Sequence, residues 1–167
     1  MQKVLIMDTS ILCVYLKVPH MDDCGSDSDK WDYERVTQKI NAEISQKSLL
    51  VLPLATLIET GNHIAQAHGE RYAPAVELSK IIVKTATQEE PWAAFTFQSK
   101  LWSEENLIKL ASSWPTLAAS GLSIGDTTIK DVADYYTEAG FQVEILTGDE
   151  GLKAYEPKQI KQPRRRR

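Results

Sequence analysis

The sequence predicts an α/β fold in which helices cover both faces of a parallel sheet. Three short apolar segments are typical of buried strands: KVLIM at 3–7, SLLVLPL at 48–54 and FQVEILTGD at 141–149. The stretches between them are longer and place apolar residues at helical spacing. Strands that alternate with helices in this way form parallel sheets, because each return of the chain crosses one face of the sheet.

The elements follow from their local patterns. A helix is predicted directly after the first strand, since TSILCVYL at 9–16 has helical apolar spacing, whereas the polar, acidic stretch 17–30 is predicted as a loop or flap. The aromatic segment 88–102 receives no element, and its Trp92 and Trp102 are expected to pack in the core or at an edge. Further helices are predicted at 31–44, at 54–67 with Pro53 in the first turn, at 70–86, at 103–118 with a potential break before Pro115, and at 125–140.

Length and composition are those of a soluble globular protein. The 167 residues fit one domain, which we place at 1–160, and 43% hydrophobic with 25% charged residues are ordinary values. A net charge of -4 gives no overall sign of a nucleic-acid-binding protein. Two cysteines are too few for a disulfide scaffold. Because neither a signal peptide nor an apolar run of membrane-spanning length is visible, we expect a cytoplasmic protein without membrane contact.

Four carboxylates lie at strand ends or near apolar helix faces. Asp8 ends the first predicted strand, and Asp149 follows the third in LTGDEGL. Glu59 lies in the helix after the second strand, and Asp126 opens a helix after Gly125. Each of them alone is explained by a structural role, as a helix cap or an exposed helix charge.

Taken together, the four acids predict a metal site. The carboxyl ends of parallel strands share one edge of the sheet, so Asp8 and Asp149 would approach each other there and the two helical acids would join them. Carboxylates that crowd a partly desolvated site repel one another and usually hold a cation or share protons. Oxygen ligands without supporting Cys or His favour Mg²⁺ or Mn²⁺, ions that serve phosphodiester hydrolysis.

The order MDTSIL, LIETGNHI, GDTTIKDVA and LTGDEGL resembles the PIN-domain nucleases over nearly the whole chain. The resemblance implies a three-layer α/β/α sandwich with a central parallel sheet. It also implies Mg²⁺- or Mn²⁺-dependent cleavage of single-stranded RNA, as in toxins of toxin–antitoxin pairs. Carried over by position, the catalytic and metal-binding residues are Asp8, Glu59, Asp126 and Asp149, and the hydroxyls that orient them or the scissile phosphate are Thr9, Ser10 and Thr147.

Two segments depart from the compact toxins of that family. The acidic insertion at 19–30 is longer than the corresponding loop, and the stretch 84–122 is also long and carries WAAFTFQSKLW, which has no counterpart in the family. A nuclease subunit of a larger assembly, such as an antiphage defence complex, is therefore an equally open interpretation. The resemblance also implies a homodimer and an inhibitory antitoxin or other protein partner.

The basic segment 161–167 is predicted to be a mobile tail. Its four arginines, Arg164, Arg165, Arg166 and Arg167, follow a proline and cannot form a packed element alone. Three interpretations stay open: contact with RNA phosphates, docking on an acidic partner, or no function.

Two other functions compete with the nuclease. A haloacid-dehalogenase-like phosphatase also ends its first strand with an aspartate, but that family has a second aspartate where Ser10 stands, and a lysine where this chain offers Glu59. The second is a PIN-like scaffold that binds a partner without catalysis. Retention of all four acids argues against the scaffold.

Overall fold

A computed structural model describes residues 1–158, and it has the predicted α/β architecture. The tail 161–167, including Arg164–Arg167, lies outside the described residues. The elements follow in chain order: β1 (Lys3–Met7), α1 (Thr9–Tyr15), β2 (Asp23–Ser26), β3 (Asp29–Asp32), α2 (Tyr33–Ser45), β4 (Leu49–Val51), α3 (Leu54–Gln66), α4 (Tyr72–Ala86), a 3₁₀ helix (Phe95–Trp102), α5 (Glu104–Ala119), α6 (Ile124–Glu138), β5 (Gln142–Leu146) and α7 (Glu150–Lys153).

The central sheet is parallel, as predicted. Its order is β4–β1–β5, with Leu5 of β1 paired to Leu50 of β4 and to Glu144 of β5. The segment 91–93, which was not predicted as a strand, pairs with the outer side of β4. There the Leu50 N–H donates to the Pro91 carbonyl at 2.8 Å, and the Ala93 N–H donates to the Leu50 carbonyl at 2.9 Å. The first strand therefore lies in the middle, and its carboxyl end has a strand on either side.

Helices cover both faces of the sheet, and each face has its own apolar core. Leu5 and Met7 of β1 pack into the core formed with α1, α2, α3 and α4. Val4 and Ile6 point to the opposite core, which includes α6 and Leu152 of α7. Because successive side chains of a strand alternate between faces, an apolar run such as KVLIM is buried on both sides.

The predicted loop at 17–30 is wrong over its second half, which forms a hairpin. β2 and β3 pair in antiparallel register with Ser26 opposite Asp29, leaving Asp27 and Ser28 as the turn. Helix α2 consequently begins at Tyr33 rather than near residue 31. The strands DCGS and DKWD have no apolar alternation, so periodicity gives no strand signal there.

Two further segments differ from the sequence pattern. The unassigned aromatic stretch contains a 3₁₀ helix, with Trp92 buried in the core before it and Trp102 about 40% exposed at its end. Helix α5 continues through Pro115 instead of breaking before it. No residue of α5 is fully buried, so this helix lies on the surface of the domain.

A buried charge network joins β1, α2 and β5. Glu43 of α2, only 4% exposed, pairs with Lys3 at 2.5 Å and Lys39 at 2.7 Å, and accepts a hydrogen bond from Ser48 at 2.6 Å. Glu144 of β5 pairs with both lysines. Burial raises the pKa of Glu43, but the hydrogen bonds from Lys3, Lys39 and Ser48 outweigh it and bring the pKa to about 2.

Among residues 1–158, no helix combines the length and the apolarity needed to cross a membrane.

Candidate active site

Asp8 lies at the carboxyl end of the central strand and is 5% exposed. It occupies the position before helix α1, but its side chain makes no capping hydrogen bond. Instead, its Oδ2 accepts hydrogen bonds from the hydroxyls of Ser10 at 2.8 Å and Thr147 at 2.7 Å. The carboxylate is therefore oriented by side chains of two different elements and is not used to begin the helix.

The hydroxyls predicted to surround the acids link the ends of β1 and β5. Ser10 Oγ accepts from Gly148 N–H at 3.1 Å, and Thr147 Oγ1 accepts from Asp149 N–H at 2.9 Å. The Asp8 N–H donates to the carbonyl of Leu146 at 3.1 Å, which continues the pairing of the two strands. The loop that carries Asp149 is thus attached directly to the residues that orient Asp8.

Glu59 is brought to the same edge by helix α3. Thr9 Oγ1 donates to its Oε2 at 3.0 Å across 50 residues of sequence. The start of α3 is anchored near the end of β1, because the buried Thr56 hydroxyl donates to the Met7 carbonyl at 2.8 Å. The other oxygen of Glu59 packs against Gly125, where a Cβ atom would overlap it.

Asp126 lies in the first turn of α6, although it does not cap that helix. Ser123 is the cap, and its Oγ accepts from the Asp126 N–H at 3.0 Å, so the helix begins two residues before Asp126. Burial raises the pKa of Asp126; the Ser123 hydrogen bond opposes this, and the negative charges of Asp8, Asp149 and Glu59 raise the pKa further. The carboxyl of Asp126 therefore experiences the fields of all three other acids.

Asp149 is the exposed member of the group and also caps α7. Its Oδ1 accepts from the N–H groups of Gly151 at 2.7 Å and Leu152 at 3.3 Å. The capping role that the sequence suggested is therefore real for this residue, but it uses only one of the two carboxylate oxygens.

We refer to four acids together as the acidic cluster: Asp8, Glu59, Asp126 and Asp149. Within residues 1–158 these acids have no nearby counter-ion. None of them pairs with a Lys, Arg or His side chain within residues 1–158. In the same part of the chain, no three Asp, Glu, His or Cys side chains are already arranged to hold a metal ion. The structure thus brings the four acids to one edge of the sheet, with their side chains not yet converged on one point.

The donor atoms around the cluster are oxygens. Burial raises the pKa of the nearby Cys13 thiol to about 12, and burial also raises the pKa of Cys24. Without a bound metal, both thiols are therefore protonated at neutral pH. Carboxylate and hydroxyl oxygens without thiolates suit a hard cation such as Mg²⁺ or Mn²⁺.

Several residues that shape this site were not predicted to belong to it from the sequence. Thr56 and Ser123 anchor the two helices that deliver Glu59 and Asp126. Gly125 and Gly148 are needed because neighbouring groups approach them closely. The Ser123 cap was visible as a serine three residues before an acidic side chain, whereas the two glycines make contacts that no local pattern encodes.

Replacing Gly125 by alanine is expected to lower activity without loss of stability. The added methyl group displaces the tip of Glu59 and weakens its hydrogen bond to Thr9, so we expect kcat/KM of the nuclease activity that the resemblance implies to fall 10- to 100-fold. Alanine within the helix favours folding by up to about 1 kcal/mol. Urea unfolding and initial cleavage rates measure the two effects.

Gly61→Ala is the matched control for that variant. Gly61 also lies in a helix, and an added Cβ would meet only Leu78 at 4.0 Å. We expect it to gain stability and keep its activity. Equal activity of the Gly125→Ala variant and the wild type would show that the position of Glu59 does not matter.

Comparison of the chain with protein-family models, with curated proteins and with solved structures finds no match.

Proposed function

We propose that this protein is a divalent-metal-dependent ribonuclease with a PIN-like active site, which hydrolyses phosphodiester bonds of single-stranded RNA. The observation that supports the proposal most is the environment of Asp126. Burial and three further carboxylates raise its pKa, and no cation within residues 1–158 relieves that repulsion. A cluster that is unfavourable by itself and free of ion pairs is characteristic of a cation-binding site.

The chemistry of the donor set fits Mg²⁺ or Mn²⁺, held by the carboxylates of the acidic cluster. When bound, such an ion would neutralise phosphate oxygens and lower the pKa of a water molecule. The residues around it act on orientation: Ser10 and Thr147 hold Asp8, and Thr9 holds Glu59. The exposed side chain of Asp149 keeps its second oxygen outside the capping bonds, so that this oxygen is available to a cation.

No residue of the protein forms a covalent bond to the substrate in this reaction. Asp8 is buried, and the hydroxyls of Ser10 and Thr147 both donate to its Oδ2, so its side chain is held in place to orient a cation rather than to attack phosphorus. The hydrolytic water would approach the phosphorus atom in line, opposite the departing oxygen.

Cleavage of labelled single-stranded RNA by the purified chain, with and without Mn²⁺, tests the function. We expect Mn²⁺-dependent endonucleolytic products and no release of phosphate from a small phosphomonoester. Release of phosphate with a trapped aspartyl phosphate would instead establish the phosphatase. Tight binding of a partner protein without turnover on either substrate would establish the scaffold.

The biological setting that we propose is that of a toxin or effector subunit in a toxin–antitoxin or antiphage defence system. An inhibitory partner protein and a homodimer belong to the same proposal, as does contact of Arg164–Arg167 with RNA. Co-purification of the full chain with the product of an adjacent gene, followed by loss of RNA cleavage in the complex, would identify the inhibitor.

Mn²⁺ is expected to raise the melting temperature of the protein. An ion that binds only the folded state at about ten times its Kd adds about 1.4 kcal/mol of stability, or about 3–5 °C for a chain of this size. Differential scanning calorimetry with MnCl₂, against KCl at equal ionic strength, measures the shift. A melting temperature that does not respond to millimolar Mn²⁺ contradicts the metal site.

A further inference from the structure

A cavity of about 70 Å³ opens beside the acidic cluster, between the hairpin β2–β3 and the end of β5. It shares Thr147 and Asp149 with the candidate active site. Three residues of the hairpin, Ser26, Asp29 and Trp31, form its opposite wall. The hairpin that the sequence pattern did not reveal therefore faces the catalytic edge of the sheet.

The hairpin is packed tightly against the loop that carries Asp149. A Cβ atom on Gly148 would lie 2.7 Å from Cys24 Sγ and 2.8 Å from the Gly25 nitrogen, so only glycine allows this approach. The N–H of the same Gly148 donates to Ser10, which orients Asp8. A group bound against the hairpin is thus held in a fixed position relative to the acidic cluster.

Aromatic and basic side chains are combined at this cavity. The guanidinium of Arg35 lies 3.7 Å from the centre of the Trp31 ring and covers one face of the indole. Lys153 lines the cavity, and Lys30 and Arg35 are exposed beside it; each of the three also pairs with an acidic side chain, Glu156, Asp23 and Asp29 respectively. An aromatic surface bordered by cations is the arrangement with which proteins bind single-stranded nucleic acid, the ring contacting a base and the cations the backbone.

The acids that line the cavity are mostly engaged elsewhere. Asp29 pairs with Arg35 at 2.7 Å, and Glu144 pairs with Lys3 and Lys39. Asp149, which belongs to the acidic cluster, and Glu150 also line the cavity, and together these carboxylates disfavour a phosphate group. A flat, neutral group is the ligand that best fits this lining.

We propose that this open cavity receives the edge of one unstacked nucleobase of the RNA strand, beside Trp31, and so contributes to binding of the strand next to the acidic cluster. The inference rests on the proposed ribonuclease function and extends it to substrate binding. Trp31 contributes to substrate binding here, since it touches a base and not the reacting phosphate. Loss of the indole should therefore change KM and leave kcat nearly unaltered.

Trp31→Leu is expected to raise KM for single-stranded RNA about tenfold, with kcat within about twofold of the wild type. Trp102→Leu is the control, because Trp102 is a surface tryptophan that lies outside this cavity. An unchanged KM in Trp31→Leu, or the same change in both variants, overturns the subsite while leaving the nuclease proposal intact.

A second variant guards against loss of the hairpin itself. Ser26→Phe keeps Trp31 and fills the cavity from strand β2, so it should raise KM similarly while thermal unfolding stays close to that of the wild type. A normal KM in this variant would show that no base enters the cavity.

Binding measurements separate the subsite from catalysis. The Kd for labelled single-stranded RNA is compared in the Asp126→Asn background with and without Trp31→Leu. A tenfold weaker Kd supports the subsite even if the wild type cleaves no RNA, a result that would overturn only the proposed function. Equal Kd values, or the absence of RNA binding, overturn the subsite.

Discussion

Asp126→Asn is expected to lower kcat/KM for RNA cleavage by about 10³-fold and, without metal, to stabilise the protein. Activity falls because one carboxylate of the acidic cluster is removed; a loss of 10²–10³-fold is typical when a group that stabilises transition-state charge is deleted. Stability rises because the charge of Asp126 is destabilised by burial and by Asp8, Asp149 and Glu59. The backbone hydrogen bond to Ser123 is unchanged by the substitution.

The pH dependence follows from the direction of the pKa shift. In the folded state the pKa of Asp126 lies above its ordinary value of 3.8. Ionisation of Asp126 therefore lowers the stability of the fold as pH rises from 3.8 through the raised pKa. The asparagine variant should therefore match the wild type at low pH and exceed it in stability at neutral pH. Urea unfolding at several pH values, in EDTA, measures the difference.

Glu138→Gln serves as the control on the same helix. Glu138 is exposed at the end of α6 and belongs to no ion pair within residues 1–158, so both activity and stability should stay near the wild-type values. If Asp126→Asn loses activity and gains stability while Glu138→Gln changes neither, the charge repulsion that destabilises the fold lies in the active site. If Asp126→Asn is instead fully active, the acidic cluster is not the catalytic centre.

Glu43→Gln is expected to destabilise the fold by about 3 kcal/mol at neutral pH. The substitution removes the charge shared by Lys3 and Lys39 and leaves two cations with a single carboxylate, Glu144. Breaking a buried ion pair by removing one partner typically costs about 3–5 kcal/mol. We take the lower value because both lysine side chains are partly exposed.

The wild-type contribution of Glu43 should disappear in acid. The pKa of Glu43 is lowered from an ordinary 4.5 to about 2 in the folded state. Ionised Glu43 therefore stabilises the fold fully above pH 4.5, and this contribution is lost as pH falls to about 2. The difference between wild type and Glu43→Gln should therefore shrink between these two values.

Glu77→Gln is the matched control for a surface pair. Glu77 pairs with Lys80 on the exposed side of α4, and such pairs contribute at most about 1 kcal/mol. Chemical denaturation of both variants at a series of pH values gives the comparison. A Glu43→Gln variant as stable as the Glu77→Gln variant would show that the buried network adds little to the fold.

The strands and most helices could be predicted because their signals are local. KVLIM is apolar at every position except the first, which is typical of the central strand of a parallel sheet. The hairpin β2–β3 escaped prediction because each strand has a single apolar residue, Cys24 or Trp31, that packs against the core, and its close approach to Gly148 is encoded by no local pattern. Helix α5 likewise continues through Pro115 against the local signal.

For the candidate site, the residue types and their chain order could be predicted, but their neighbours could not. A strand that ends in Asp8 followed by two hydroxyls indicates a functional edge, and the structure places both hydroxyls on carboxylates. The bond between Thr9 and Glu59 spans 50 residues, and that between Thr147 and Asp8 spans 139. Such contacts depend on how the elements pack.

The sequence by itself determined the α/β architecture and the four acids, because periodicity and residue chemistry are properties of the chain. Only the tertiary structure decided which charges are neutralised and which are not. Glu43 and Glu144 meet lysines within the fold, whereas the hydrogen bonds and charges around the acidic cluster in residues 1–158 come from hydroxyls, backbone groups and its own members. Both sets of acids look alike in the sequence, since the strength of an electrostatic interaction depends on distance and burial, which packing alone sets.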